Sequence, residues 1–95
     1  MQMKIRFAHQ PVRFSSGGIL FNAWADDEFI VCEISSEALI EQFGARPSRT
    51  GCLIAFNAHR AEIEAVAARS MPHRLAYGRC SIFCRDFHGS GPASP

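Results

Sequence analysis

With 95 residues, 47% of them apolar and 20% charged, the chain has the makings of one globular domain. A domain of this size buries roughly 60–65% of its unfolded surface and does without disulfide or metal staples. Ten Lys and Arg against nine Asp and Glu leave a net charge of +1, which excludes strong whole-molecule attraction to nucleic acid or to an anionic membrane.

Eight Phe beside one Tyr and one Trp suit a core better than a base-stacking platform. The opening MQMKIRFAHQP lacks the long apolar run and cleavage site of a signal peptide. No stretch approaches the ~20 apolar residues that span a bilayer. A cytoplasmic location with no membrane contact is therefore expected, with the four cysteines as reduced thiols.

Residues 3–8 (MKIRFA) read as a short edge strand whose extension Pro11 limits. Ser15-Ser16-Gly17-Gly18 is a turn. ILFNAWADDEFIVCEIS then carries the clearest β pattern. A two-residue turn at Asp26-Asp27 pairs Ala23 with Ile30, Phe21 with Cys32 and Ile19 with Ile34, and puts all six on one face; Asp-Asp is weaker there than Asp-Gly, so a longer loop is the alternative. The opposite face carries Leu20, Asn22, Trp24, Phe29, Val31 and Glu33, more apolar than a solvated face should be. The N-terminal segment, the tail or another chain are its candidate covers.

Ser35 or Ser36 caps a short helix, SEALIEQF, with Leu39, Ile40 and Phe43 inward and Glu37 in its first turn. Gly44 stops it. From Thr50 to Ser70 the sequence reads as one long helix of about 30 Å, capped by Thr50 and ended by Pro72. Its stripe is Leu53, Phe56, Ile63 and Ala67, with Cys52 and Val66 on the shoulder. LAYGRCSIFCRDF is a final strand with Ala76, Cys80, Ile82 and Cys84 on the core face. HGSGPASP is a disordered tail. The expectation is a single α+β domain over residues 1–88 with a tail at 89–95. It has a small, mostly antiparallel sheet, with one short and one long helix packed on one face.

Val31, Cys32, Ile34, Ser35, Ser36, Glu37, Ala38 and Leu39, continuing to Phe43, Gly44 and Ala45, resemble the signature block of the bacterial family called domain of unknown function 1488. Leu53, Phe56, Arg60, Ile63 and Ala67 are similar to its second helix, and IFCRDF (82–87) to its closing strand. The resemblance covers roughly residues 15–87. It implies a small α+β domain with no assigned activity and no catalytic residues to carry over. His59 stands where the family pattern suggests Asn or another polar residue.

Cys80 and Cys84, four apart on a predicted strand, would lie about 13 Å from each other. Two thiolates on one zinc must approach within about 4 Å, so no metal and no cofactor is expected. Arg60 lies inside the apolar stripe, where a charge needs a partner. Glu37 or Glu41 could supply a carboxylate, either as a structural lock or as part of an anion-binding cleft. His59 beside it has no nucleophile or carboxylate pair at a completing distance.

Ala58, Ala61 and Ala65, with Ala68 below and Ile54 above, form a small apolar back face fit for close packing on a second helix, as in a homodimer. Arg46, Arg49, Arg69, Arg74, Arg79 and Arg85 load the second half, with only Tyr77 and Phe83 interleaved. The first reading is a non-catalytic protein-interaction or regulatory module acting as a dimer, through the hairpin face (Leu20, Trp24, Phe29, Val31) or the alanine face (Ile54, Ala58, Ala61, Ala65). Behind it stand a weak nucleic-acid binder using the arginine-rich half, and a small enzyme or ligand binder with Arg60 and His59 in a cleft.

Overall fold

The structure, a computed structural model, describes residues 4–8, 11–74 and 77–88. Its centre is the hairpin of β3 (Gly18–Ala25) and β4 (Glu28–Ser35). The register is the one the hydrophobic alternation demands: Ala23 opposite Ile30, Phe21 opposite Cys32, Ile19 opposite Ile34. All six side chains are buried, because a slip of one residue would turn the whole set to solvent. The two-residue turn is Asp26-Asp27, with Asp26 in the left-handed region at φ 56, where Asp is among the few non-glycine residues tolerated. Gly18 opens β3 where no side chain fits, since a Cβ there would stand 1.9 Å from the Ile34 carbonyl oxygen.

The N-terminal segment joins the sheet as two short pieces on the free edge of β3. These are β1 (Ile5–Phe7) and β2 (Arg13–Phe14). Phe7 faces Ala23 and Arg13 faces Leu20, so the two pieces pair with β3 in different registers, with Pro11, which has no N–H to give a ladder, ahead of the second. The edge strand expected at 3–8 is present as the shorter Ile5–Phe7, and β2 adds a piece the sequence pattern did not reveal.

After β4 come α1 (Ser36–Phe43), α2 (Arg49–Ala58) and α3 (Arg60–Arg74), then β5 (Arg79–Ile82) and α4 (Arg85–His88). Ser35 caps α1 by accepting the Ala38 N–H, and Gly44 closes it at φ 67. Three helices laid on one face carry the chain back to the end where β4 began, so β5 pairs with β4 in parallel, as a crossover connection requires. The sheet is mixed, and four helices rather than two occur among the described residues.

The single long helix is a second correction. The helix breaks at His59, whose φ of −119 and ψ of 24 leave the α region. Its N–H still closes α2 on Ala55, while its carbonyl accepts from Ile63 to open α3. Nothing local explains the break, as there is no Gly or Pro beside it. Tertiary contacts hold it: the His59 ring stacks on Phe43 of α1 at 4.5 Å, and Arg60 reaches the Ala8 carbonyl. The N-cap of α2 is Ser48, not Thr50. Pro72 lies inside α3, which runs on to Arg74.

One core joins sheet and helices. Ile19, Phe21, Ile30, Ile34 and Ile82 meet Leu39, Phe56, Ile63, Ala67 and Met71, all fully or almost fully buried. Cys52 and Val66, read as shoulder positions, are core, whereas Leu53 is only half-buried. The molecule measures 39 × 37 × 21 Å, and its short dimension is what one sheet and one helical layer of about 10 Å each occupy. The final strand stops at Ile82. The chain turns through Phe83 and Cys84, with the Asp86 carboxylate accepting the Phe83 N–H at 2.7 Å. Cys84 therefore shares no strand with Cys80. Ala76 and the tail at 89–95 lie outside the described residues.

Candidate binding surface

Because the helices pack on one face of the sheet, the other face is left without a helical cover among the described residues. Strand pairing fixes what stands on it, since directly opposed residues point the same way. Arg6, Trp24 and Phe29 form one transverse row across β1, β3 and β4. Asn22, Val31 and Arg79 form the next across β3, β4 and β5. Arg13, Leu20, Glu33 and Ser81 form the third.

Trp24 and Phe29 meet edge to face with centroids 5.0 Å apart and remain 36% and 45% exposed. Arg6, Arg13 and Arg79 are exposed around them. Arg13 is steered across the face by the Asn22 side-chain oxygen, 3.2 Å from its Nη2. Glu33 is half-buried and accepts from the Ser15 hydroxyl. Leu20 and Val31 are half-buried between these groups.

Ile54 and Ala58 stand exposed on α2, and Ala61 and Ala65 exposed on α3. The break at His59 divides them between two helices, so they do not form one straight stripe. Ile54 is 64% exposed. With Phe43, Ala55, Ala58 and His59 it lines a cavity of about 270 Å³ between the end of α1 and α2.

Arg60 is paired, but with Glu64 of its own helix: Nε lies 3.0 Å from the carboxylate. Its Nη2 donates to the Ala8 carbonyl at 2.9 Å, and the guanidinium lies over the Phe56 ring at 5.3 Å. Glu37 instead sits exposed in the first turn of α1, where the helix dipole favours it. His59 is 3.9 Å from Glu62, and the cavity it lines does not include Arg60.

A larger cavity of about 320 Å³ opens where β2 and β3 meet the starts of α1 and α2. It is lined by Phe14, Ser36, Ile40, Ser48, Arg49 and Cys52, among others. Arg49 covers Phe14 there at 5.3 Å. Of the other arginines in the C-terminal half, Arg85 lies over Phe83, Arg69 reaches the Asp86 carbonyl at 3.4 Å, and Arg79 joins the sheet face.

Among the described residues no three His, Cys, Asp or Glu side chains come together as a metal-ligand set, and no helix is long and apolar enough to cross a membrane. Cys32, Cys52 and Cys80 are buried and form no disulfide among the described residues. Burial, and after it the neighbouring Cys80, pushes the Cys32 thiol up to about 12.

Sequence reasoning found Trp24, Phe29, Leu20 and Val31 but missed Arg6 and Arg13 as their companions. The alternation in Ile5-Arg6-Phe7 held the signal for Arg6. Arg13 had none, because its side of the sheet is set by the register in which β2 pairs with β3.

No curated protein and no solved structure matches the chain. A family model described as "Protein of unknown function (DUF1488)" matches residues 5–77. The match includes the edge pieces β1 and β2, the hairpin and the helices α1 to α3, and stops short of β5. The chain therefore belongs to the DUF1488 family.

Proposed function

We propose that this chain is a non-catalytic binding module whose working surface is the helix-free face of its sheet. The observation that carries the reading is the Trp24–Phe29 pair. Two large aromatic side chains stand side by side, each more than a third exposed, on a face whose partner layer is missing among the described residues. Large aromatics left at the surface beside arginines are the composition of interaction hot spots rather than of a solvated sheet. Four cysteines with no disulfide among the described residues suit a reducing compartment such as the cytoplasm.

The test is capture from the lysate of the protein's own cells, with wild type and Trp24→Asp compared after both are shown to melt alike. A species held by the wild type and lost with Trp24→Asp supports the reading. A species held equally by both overturns it.

Homodimerisation through α2 is a second reading, favoured by one observation: Ile54 is 64% exposed next to an apolar cavity. A face-to-face dimer through the sheet is less favoured. It would set Arg6, Arg13 and Arg79 of one copy against those of the other, with Glu33 the sole carboxylate in the described rows of that face to offset them.

A further inference from the structure

The geometry points to single-stranded nucleic acid as the partner of this sheet face, an inference that rests on the reading above that the face is the working surface. Net charge gave no hint of it, because +1 is a sum over the whole molecule, whereas a ligand meets one side. On that side the cations are Arg6, Arg13 and Arg79, and neither Arg6 nor Arg79 has a carboxylate partner among the described residues. Facing them are Glu33, bonded by the Ser15 hydroxyl, and at the hairpin tip Asp26 and Asp27. Asp26 accepts the Lys4 backbone N–H at 3.1 Å. The cations thus stand on the outer strands β1, β2 and β5, with Glu33 between them on β4 and the two aspartates at the hairpin tip.

The arrangement matters as much as the sign. Arg6 and Arg79 stand on opposite flanks of the aromatic pair, on β1 and β5, in adjacent rows. Strands lie about 4.8 Å apart, so cations flank Trp24 and Phe29 on both sides within one or two strand spacings. Phosphates on the arginines with bases laid on the rings is the mode by which proteins hold unpaired strands. A duplex keeps its bases inside the stack and offers the rings nothing. An acidic peptide would use the arginines and leave the aromatic pair with no flat partner. Tyr77, fully exposed, sits in the turn entering β5 at the same end of the sheet as Phe29 and can extend the track.

Trp24 is the one tryptophan of the chain, so its fluorescence reports this surface alone. The experiment titrates the full chain with oligo-dT, oligo-U and a duplex of equal length. It follows tryptophan quenching and the anisotropy of labelled strands across a range of salt. Expected are quenching by the single strands, weaker binding of the duplex, and affinity that falls with salt by about 0.7 in log–log slope per phosphate contact. Arg6→Ala and Arg79→Ala should each weaken binding several-fold and flatten that slope by about one contact. Trp24→Ala should weaken it roughly 5- to 100-fold, with melting curves showing the variants folded.

No quenching and no binding at about 50 mM salt, where such contacts are strong, overturns the inference. Binding that ignores all three substitutions overturns it as well. If the strands fail to bind while a nuclease-resistant protein, or a second copy, is captured and lost with Trp24→Asp, the partner is protein: the binding-module reading stands and this inference falls. If Trp24→Asp changes neither capture nor strand binding, both fall.

Discussion

Arg60 and Glu64 are joined at 3.0 Å across one turn of α3, and both side chains are about three-quarters buried. The order, Arg before Glu, is the less favourable one on a helix, so the pair by itself contributes little. The weight falls on the second bond of the same guanidinium, to the Ala8 carbonyl 52 residues away, which ties the N-terminal edge to the start of α3.

Arg60→Ala should therefore cost about 2 kcal/mol. At 4–8 °C per kcal/mol for a domain of this size, that is a Tm lower by roughly 10 °C. Glu64→Gln keeps the Ala8 bond and should lose less than half as much. A melt unchanged by Arg60→Ala would show that the guanidinium holds nothing together.

The buried thiols give a pH prediction. Cys32 ionises near 9.0 when unperturbed and at about 12 in the folded chain, since burial disfavours the thiolate. Above pH ~9 the unfolded state loses this proton and the native state keeps it, so stability is full below that pH and falls as pH rises toward ~12. Urea melts between pH 7 and about 10.5 should show the decline, and Cys32→Ala should remove part of it. Cys32, Cys52 and Cys80 should also resist alkylation in the native state, while partly exposed Cys84 reacts. Uniform labelling of all four would contradict this burial.

The hairpin was legible down to its register because alternation and a two-residue turn are local signals, and they agree. Gly44 was legible as a stop for the same reason, and the N-cap was narrowed to Ser35 or Ser36, of which Ser35 is the one used. The break at His59 was not, because a ring on α1 and a carbonyl at Ala8 impose it and no residue beside it signals it. The direction of β5 was hidden too: parallel or antiparallel depends on how many helices intervene, and the merged helix miscounted them. At the surface, period-two reading found the aromatics, but the arginines that give the face its sign arrive from β1, β2 and β5, which only pairing aligns.

Gly18 tests the tightness of the sheet. Its Cβ would stand 1.9 Å from the Ile34 carbonyl oxygen and 3.0 Å from Ser35 Cα, backbone atoms that cannot swing aside. Gly18→Ala should cost about 3 kcal/mol, the upper end for overpacking, visible as a lower urea midpoint with an unchanged slope. Gly17→Ala is the control, since its Cβ would meet only the flexible Glu33 carboxylate at 3.7 Å, and it should melt within about 0.5 kcal/mol of wild type.

The two candidate surfaces can be separated by charge placed on each. Ile54→Asp puts a carboxylate at a 64% exposed site in the middle of α2, where no buried group loses a partner, so stability should move by less than about 0.5 kcal/mol. If α2 is a self-association surface, light scattering over a concentration series should show wild type heavier than Ile54→Asp, while Trp24→Asp leaves the mass unchanged. If the sheet face alone is used, Ile54→Asp should keep full binding of its partner and Trp24→Asp should lose it. The two substitutions lie on opposite layers of the domain and share no neighbour, so their effects on any complex should add. Strong non-additivity would mean that one partner reaches both layers.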